Sequence, residues 1–188
     1  MFASLKFRLK LAYIAFRDDV RGTVAVEAAI IFPMLMWAFL SMFVFFEGFR
    51  QSSINDKAAN TIADMLSRET ENITPTYINN TKELFDLLAE ADADSKIRIS
   101  VIKWVKKKDE YKIVWSKAKG AGLSKLQTED VKDWTTKLPT VPNQERIVLV
   151  ETWSTYEPLF NVGLDPVVLK SFVFTRLRFA PQLRFSST

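Results

Sequence analysis

The sequence predicts an α+β chain: a long N-terminal helix, membrane-spanning in its first half, followed by a small, mostly antiparallel four-stranded sheet domain with short helices. Three observations predict it. Residues 28–46, AAIIFPMLMWAFLSMFVFF, run for 19 positions without a charge. Apolar residues then continue at helical spacing to about Arg68, and neither proline nor glycine interrupts between Phe49 and Thr74. Near Lys96 the period changes from about 3.6 to 2, the mark of strands.

As a helix at about 1.5 Å per residue, the uncharged run covers roughly 28 Å, close to the hydrocarbon thickness of a bilayer. The helix is expected from about Asp19 to Arg68. Pro33 sits inside the run and is expected to bend or locally open it, which membrane helices tolerate. Beyond Phe46, residues Phe49, Ile54, Ala58, Ile62 and Met65 fall near helical spacing, with Gln51, Asn55, Lys57, Asp64 and Arg68 on other faces. That pattern reads as an amphipathic half packed on the domain.

The charge balance sets direction. Of the formal net charge of +4, residues 1–22 carry +3, from Lys6, Arg8, Lys10, Arg17 and Arg21 against Asp18 and Asp19. Cations ahead of an apolar run keep that end in the cytoplasm, which places the C-terminal domain outside. A cleavable secretory signal fits less well, because the run is long and no small-x-small site closes it. Residues 2–17 alternate apolar and basic, as an amphipathic segment on the inner leaflet or a charged lead-in to translocation would. The division expected is a basic cytoplasmic leader over 1–22, a long helix over 23–68 spanning the membrane at about 28–46, and an α+β domain over 69–188.

Within that domain, residues 69–80 read as a polar loop. Asn80 with Glu83 three positions on reads as a capping box for a short helix from Thr81 to about Glu90. Residues 96–106 and 111–117 alternate around the polar turn Lys107-Lys108-Asp109-Glu110 and make a hairpin. Residues 118–126, with Gly120 and Gly122, read as a loop, and a short helix is expected from about Glu129 to Lys137. Pro139 and Pro142 precede a third strand at 146–156. After the Glu157–Pro166 connection, a fourth runs over 167–179. The helices are expected against one face of the sheet.

Composition excludes much chemistry. Histidine and cysteine are both absent, which removes imidazole-based triads, thiol nucleophiles, dithiol redox sites and ordinary zinc sites. The five glycines do not fall at phosphate-loop offsets. No catalytic, cofactor-binding or metal-binding residue is assigned, and no enzyme activity is expected. The carboxylate pairs Asp92 with Asp94 and Glu129 with Asp130 read as solvated caps. Lys103, Lys106, Lys107 and Lys108 beside Trp104 read as charges that keep a hairpin tip and sheet edge soluble; nucleic acid is not an expected partner.

One stretch stands apart: Arg21-Gly22-Thr23-Val24-Ala25-Val26-Glu27-Ala28-Ala29-Ile30-Ile31-Phe32-Pro33. A carboxylate within an apolar segment costs about 2.5 kcal/mol or more if it lies deep, so Glu27 calls for a partner. A cut after Gly22 would give Thr23 a new α-amino group and make Glu27 the fifth residue. A neighbouring subunit's ammonium could then neutralise the carboxylate.

This arrangement resembles type IV prepilins, and its wording resembles the TadE/TadG family of Tad (Flp-type) pilus assembly proteins, whose motif is similar to R-G-x-x-x-V-E-F-A-hydrophobic-P. The resemblance covers roughly Phe16 to Arg68. Ala28 departs from it, since Flp-type pilins usually carry an aromatic there. The resemblance implies a minor pilin or pseudopilin in the bacterial inner membrane, single-pass, with a periplasmic domain. It implies processing and assembly through Gly22, Thr23 and Glu27. The implied partners are other pilin-like subunits along the helix, a prepilin peptidase and the pilus assembly platform. The competing expectation is a membrane-anchored periplasmic ligand-binding or sensor module.

Overall fold

The computed structural model describes residues 13–17, 21–91 and 94–187. The expected helix start at Asp19, the amphipathic segment before Tyr13 and the Asp92 carboxylate lie outside these residues. Helix α1 is Arg21–Arg68, and α2 is Pro75–Leu88. The strands are β1 Lys96–Val105, β2 Glu110–Lys119, β3 Arg146–Tyr156 and β4 Val167–Arg176, with a one-turn helix α3 Thr128–Val131 and a 3-10 turn Trp134–Thr136 between β2 and β3. The chain divides into two compact units after Phe45.

In the first unit, α1 continues through Pro33. The large apolar side chains Val24, Ile30, Phe32, Trp37 and Met42 are exposed all round the helix.

In the second unit, α1 turns one stripe inward. Asn55, Ala58, Ala59, Ile62, Ala63, Leu66 and Ser67 are buried, recurring every three or four residues as an amphipathic helix requires. The stripe is rotated from the expected one: Phe49 is exposed, Ile54 and Met65 are half-buried, and Ala58 and Ile62 hold their place.

The sheet has the order β2-β1-β3-β4, antiparallel throughout. A bulge between Val101 and Ile102, opposite Trp115 and Ile113, inserts Val114 as an extra residue. Ile97, Ile99, Val101, Val148 and Val150 meet α1 and α2. Ile102, Trp104, Tyr111, Ile147 and Leu149 form a second cluster with Leu126, Val131, Leu138 and Val141. The sheet is therefore covered on both faces, not on one. Residues 126–141 bring only isolated apolar side chains at irregular spacing, which leave no period to read.

Other boundaries shift for local reasons. Helix α2 begins at Pro75, inside the expected loop: the Thr74 side chain accepts from Tyr77 N at 3.2 Å and Pro75 takes the first turn, where its missing N–H costs nothing. Asn80 is then mid-helix and does not cap. Strand β2 runs on to Lys119 and stops at Gly120, whose φ of +124° and close approach to the Lys96 backbone only glycine allows. The helix expected over 129–137 is α3 and the 3-10 turn. Asp130 caps it by accepting from Gln127 N at 2.8 Å, as the carboxylate pair predicts.

After β4 the chain crosses back. Arg178 N donates to Ser67 O, and Ile73 exchanges hydrogen bonds with Arg184 and Ser186, all at 2.8 Å. Leu183 is buried, and its carbonyl accepts from Trp115 Nε1 at 2.8 Å.

Candidate functional site

Gly22, Thr23 and Glu27 all lie in the first two turns of α1 and are exposed. Thr23 and Glu27 are four apart and share a helix face. Glu27 borders two shallow apolar grooves. One, of about 620 Å³, is lined by Phe16, Gly22, Thr23, Val26 and Ile30; the other, of about 340 Å³, by Val24, Ala28, Ile31, Phe32 and Leu35. Pro33 lies a turn and a half beyond Glu27 and lines another shallow groove with Met34, Trp37 and Ala38.

Gly22 holds no structural office in the chain. A Cβ built there meets nothing within 4 Å, and its backbone is not in the left-handed region. A glycine inside a helix costs up to about 1 kcal/mol relative to alanine. Glu27 likewise serves no packing or capping need in the described structure. These two residues run against the local rules for an apolar helix with no compensation in the fold, which is where function is expected to reside.

The sheet unit carries two polar clusters. On the α1 side, Asn55 Nδ2 donates to Ser171 Oγ at 2.7 Å, Ser154 Oγ donates to Asn55 Oδ1 at 3.1 Å, and Ser171 Oγ donates to Asp56 Oδ1 at 2.5 Å. On the other face, Arg98 and buried Glu151 pair at 2.6 Å, with Arg98 also donating to Ser124 O at 3.1 Å. Asn55, Asp56, Ser154, Ser171, Arg98 and Glu151 are each answered within their cluster, as an architectural role requires, whereas the Thr152 hydroxyl, opposite Ser171, is buried without a hydrogen-bond partner. Among the described residues no group of acidic side chains is placed to hold a metal ion.

Two features have no counterpart in the sequence reading. A groove of about 840 Å³ runs beside β2, bounded by residues 113–117, 125–128 and 182–185 with Arg146. It depends on the returning C-terminal segment, which follows β4 without a periodic signal. The second is the charge cluster past the apolar run: Arg50 donates to Glu47 at 2.6 Å and lies 3.7 Å from Glu90. Its i, i+3 spacing is the signal that finds it. Trp104, which lies beside the basic run, is buried and packs on Tyr111 at 4.8 Å rather than facing outward.

Fold and site together define an α+β domain behind a single helix, the one among the described residues long and apolar enough to cross a membrane. No protein-family model, curated protein or solved structure matches the chain.

Proposed function

We propose that the protein is a structural or assembly component, a minor pilin or pseudopilin, of a Tad-type type IV pilus system. The apolar part of α1 anchors it in the bacterial inner membrane, with the N-terminus cytoplasmic and the sheet domain periplasmic. It works by lateral packing of its helix with other pilin-like helices, not by catalysis. The observation that carries this reading is Gly22 and Glu27 on an exposed apolar helix whose own fold asks for neither. The glycine admits a prepilin peptidase to the backbone, and the carboxylate pairs with a neighbouring subunit's ammonium. A sensor module on the same anchor is the second reading, favoured by the groove beside β2.

Register separates the two. Gly22→Lys is expected to leave the long precursor, while Glu27→Gln, which keeps size but loses charge, gives a processed yet unassembled chain. Intact-mass spectrometry of membrane-isolated protein beside a pilus assay reads both. If the wild-type chain keeps Met1 in an assembling cell, the processing step is wrong. If both variants assemble normally, the pilin reading falls to the sensor.

A further inference from the structure

Most large apolar side chains that the 46–188 unit leaves exposed lie at one end of its sheet. Phe49 is 74% exposed, Leu87 75%, Leu159 72% and Val168 61%. They are brought together from four parts of the chain. Gly48 packs against Tyr156, at the end of β3, which pairs with Val167 at the start of β4. Leu159 belongs to the connection between those strands. Gln51 Nε2 donates to Ala89 O at 2.5 Å, which ties the end of α2, with Leu87, to the same turn of α1. Large apolar side chains left exposed together at one end of a folded unit mark an interaction surface.

We infer that this end of the unit rests in the lipid headgroup layer of the membrane that the apolar part of α1 crosses, with Phe49, Leu87, Leu159 and Val168 dipping into it. The inference rests on the reading of residues 28–46 as a membrane span. Continuity along the chain selects the occupant: Phe49 follows the uncharged run three residues on, and the ends of β3 and α2 are tied to Gly48 and Gln51 beside it, so lipid is the nearest apolar phase. Interfacial burial of such side chains reaches roughly 5–10 Å into the boundary between headgroups and acyl chains. The charges beside the patch, Glu47, Arg50, Glu90, Glu157, Asp165 and Lys170, are of both signs, so the contact is apolar and needs no anionic lipid. At the far end of the strands lies the exposed turn with Lys106, Lys107 and Lys108, suited to water. The surface thus fixes which end of the domain the membrane meets.

The chain has no cysteine of its own, so single cysteines report cleanly. Full-length protein carrying Leu87→Cys, Leu159→Cys or Val168→Cys is labelled with an environment-sensitive fluorophore and placed in phosphatidylcholine vesicles. Trp37→Cys, at the middle of the run, serves as the span control and is read with a deep doxyl quencher, and Lys107→Cys and Phe179→Cys serve as aqueous controls. The expected result is loss of most emission at 87, 159 and 168 with lipids carrying a shallow doxyl quencher. The two aqueous controls are spared, and the quenching is unchanged by salt or by dilution of protein in lipid. If position 37 is quenched while 87, 159 and 168 stay aqueous, the inference is overturned and the span stands. If position 37 is also aqueous, the span itself fails. Quenching at 87, 159 and 168 that disappears on dilution assigns the patch to a second copy of the chain and likewise overturns the inference.

Discussion

Along α1, Val24, Phe32, Trp37 and Met42 leave most of their surface open, whereas Asn55, Ala58, Ile62 and Leu66 leave almost none. Both stretches are helix, and both are rich in apolar residues. They differ in what surrounds the apolar surface. The later stretch alternates a buried stripe with Asp56, Lys57, Asn60 and Thr61, which face solvent, and the sheet covers the stripe. The earlier stretch has no polar face at all, so no single protein surface could satisfy it, and a lipid solvent on every side would. The difference teaches that apolar content says a helix avoids water, while its angular distribution says what replaces the water.

The comparison predicts which substitutions the folded unit feels. The largest effect is expected at Glu151, whose side chain is 3% exposed and paired with Arg98. Glu151→Ala leaves the half-buried Arg98 guanidinium without its carboxylate, held only by Ser124 O and the Trp153 ring, and should cost up to about 3–5 kcal/mol in denaturant unfolding of the detergent-solubilised chain. Replacing both partners by apolar residues should restore most of it. A loss as large in the double variant would mean that the strands, and not the ion pair, carry the effect.

Leu66→Ala comes next, at about 2–5 kcal/mol for a cavity between α1 and the sheet. Leu35→Ala, an equal truncation in the exposed stretch, should shift the same transition by no more than about 0.5 kcal/mol. Equal losses at both positions would erase the distinction between the two stretches.

A smaller effect is set by pH. Burial pushes the Tyr77 phenol up to about 12, and the Glu69 carboxylate adds to the rise. Burial also raises Tyr111 and Tyr156. A raised phenol favours the neutral form in the fold, so its contribution is complete below the ordinary value of 10.0 and drains away as pH climbs toward 12. Stability should therefore fall across that window, and Tyr77→Phe should flatten part of the fall. Following phenolate absorbance and unfolding midpoints together checks it; a midpoint that holds steady to the top of the window would refute the assignment.

The sequence made the uncharged run, the switch of period near Lys96 and β3 legible, because each is a repeated local signal. Its register within α1 was less so: Phe49 and Met65 are as apolar as Leu66, and only the sheet's position decides which turns inward. The second apolar face escaped it, since Leu126, Val131, Leu138 and Val141 act as single plugs without spacing. Thr74 and Pro75 are a readable helix start, outweighed by the Asn80–Glu83 pattern, which the structure leaves unused. Gly22 and Glu27 stand out in the sequence for the opposite reason, as departures from what an apolar helix needs. The apolar end around Leu87 and Leu159 was not legible, because its residues come from separate elements.

The smallest effect comes from the two glycines of α1, which pose the comparison as one substitution made twice. Alanine for glycine at a compatible site gains about 0.4–1 kcal/mol by restricting the unfolded chain. At Gly48 the new Cβ lies 3.3 Å from Tyr156 Cε1, tighter than ordinary contact. The buried ring must give by a few tenths of an ångström, so the gain is offset and Gly48→Ala should change stability by less than about 1 kcal/mol. The near-ultraviolet circular dichroism of the tyrosines should nonetheless change. At Gly22 nothing stands within 4 Å, and Gly22→Ala should leave the domain's unfolding and its tyrosine spectrum untouched. Any consequence of Gly22→Ala must then come from outside the fold, and under the proposed function it appears as slower removal of the leader. A Gly22→Ala chain that unfolds earlier, beside a Gly48→Ala chain with an unaltered tyrosine spectrum, would show the constraint on α1 to lie in the wrong half.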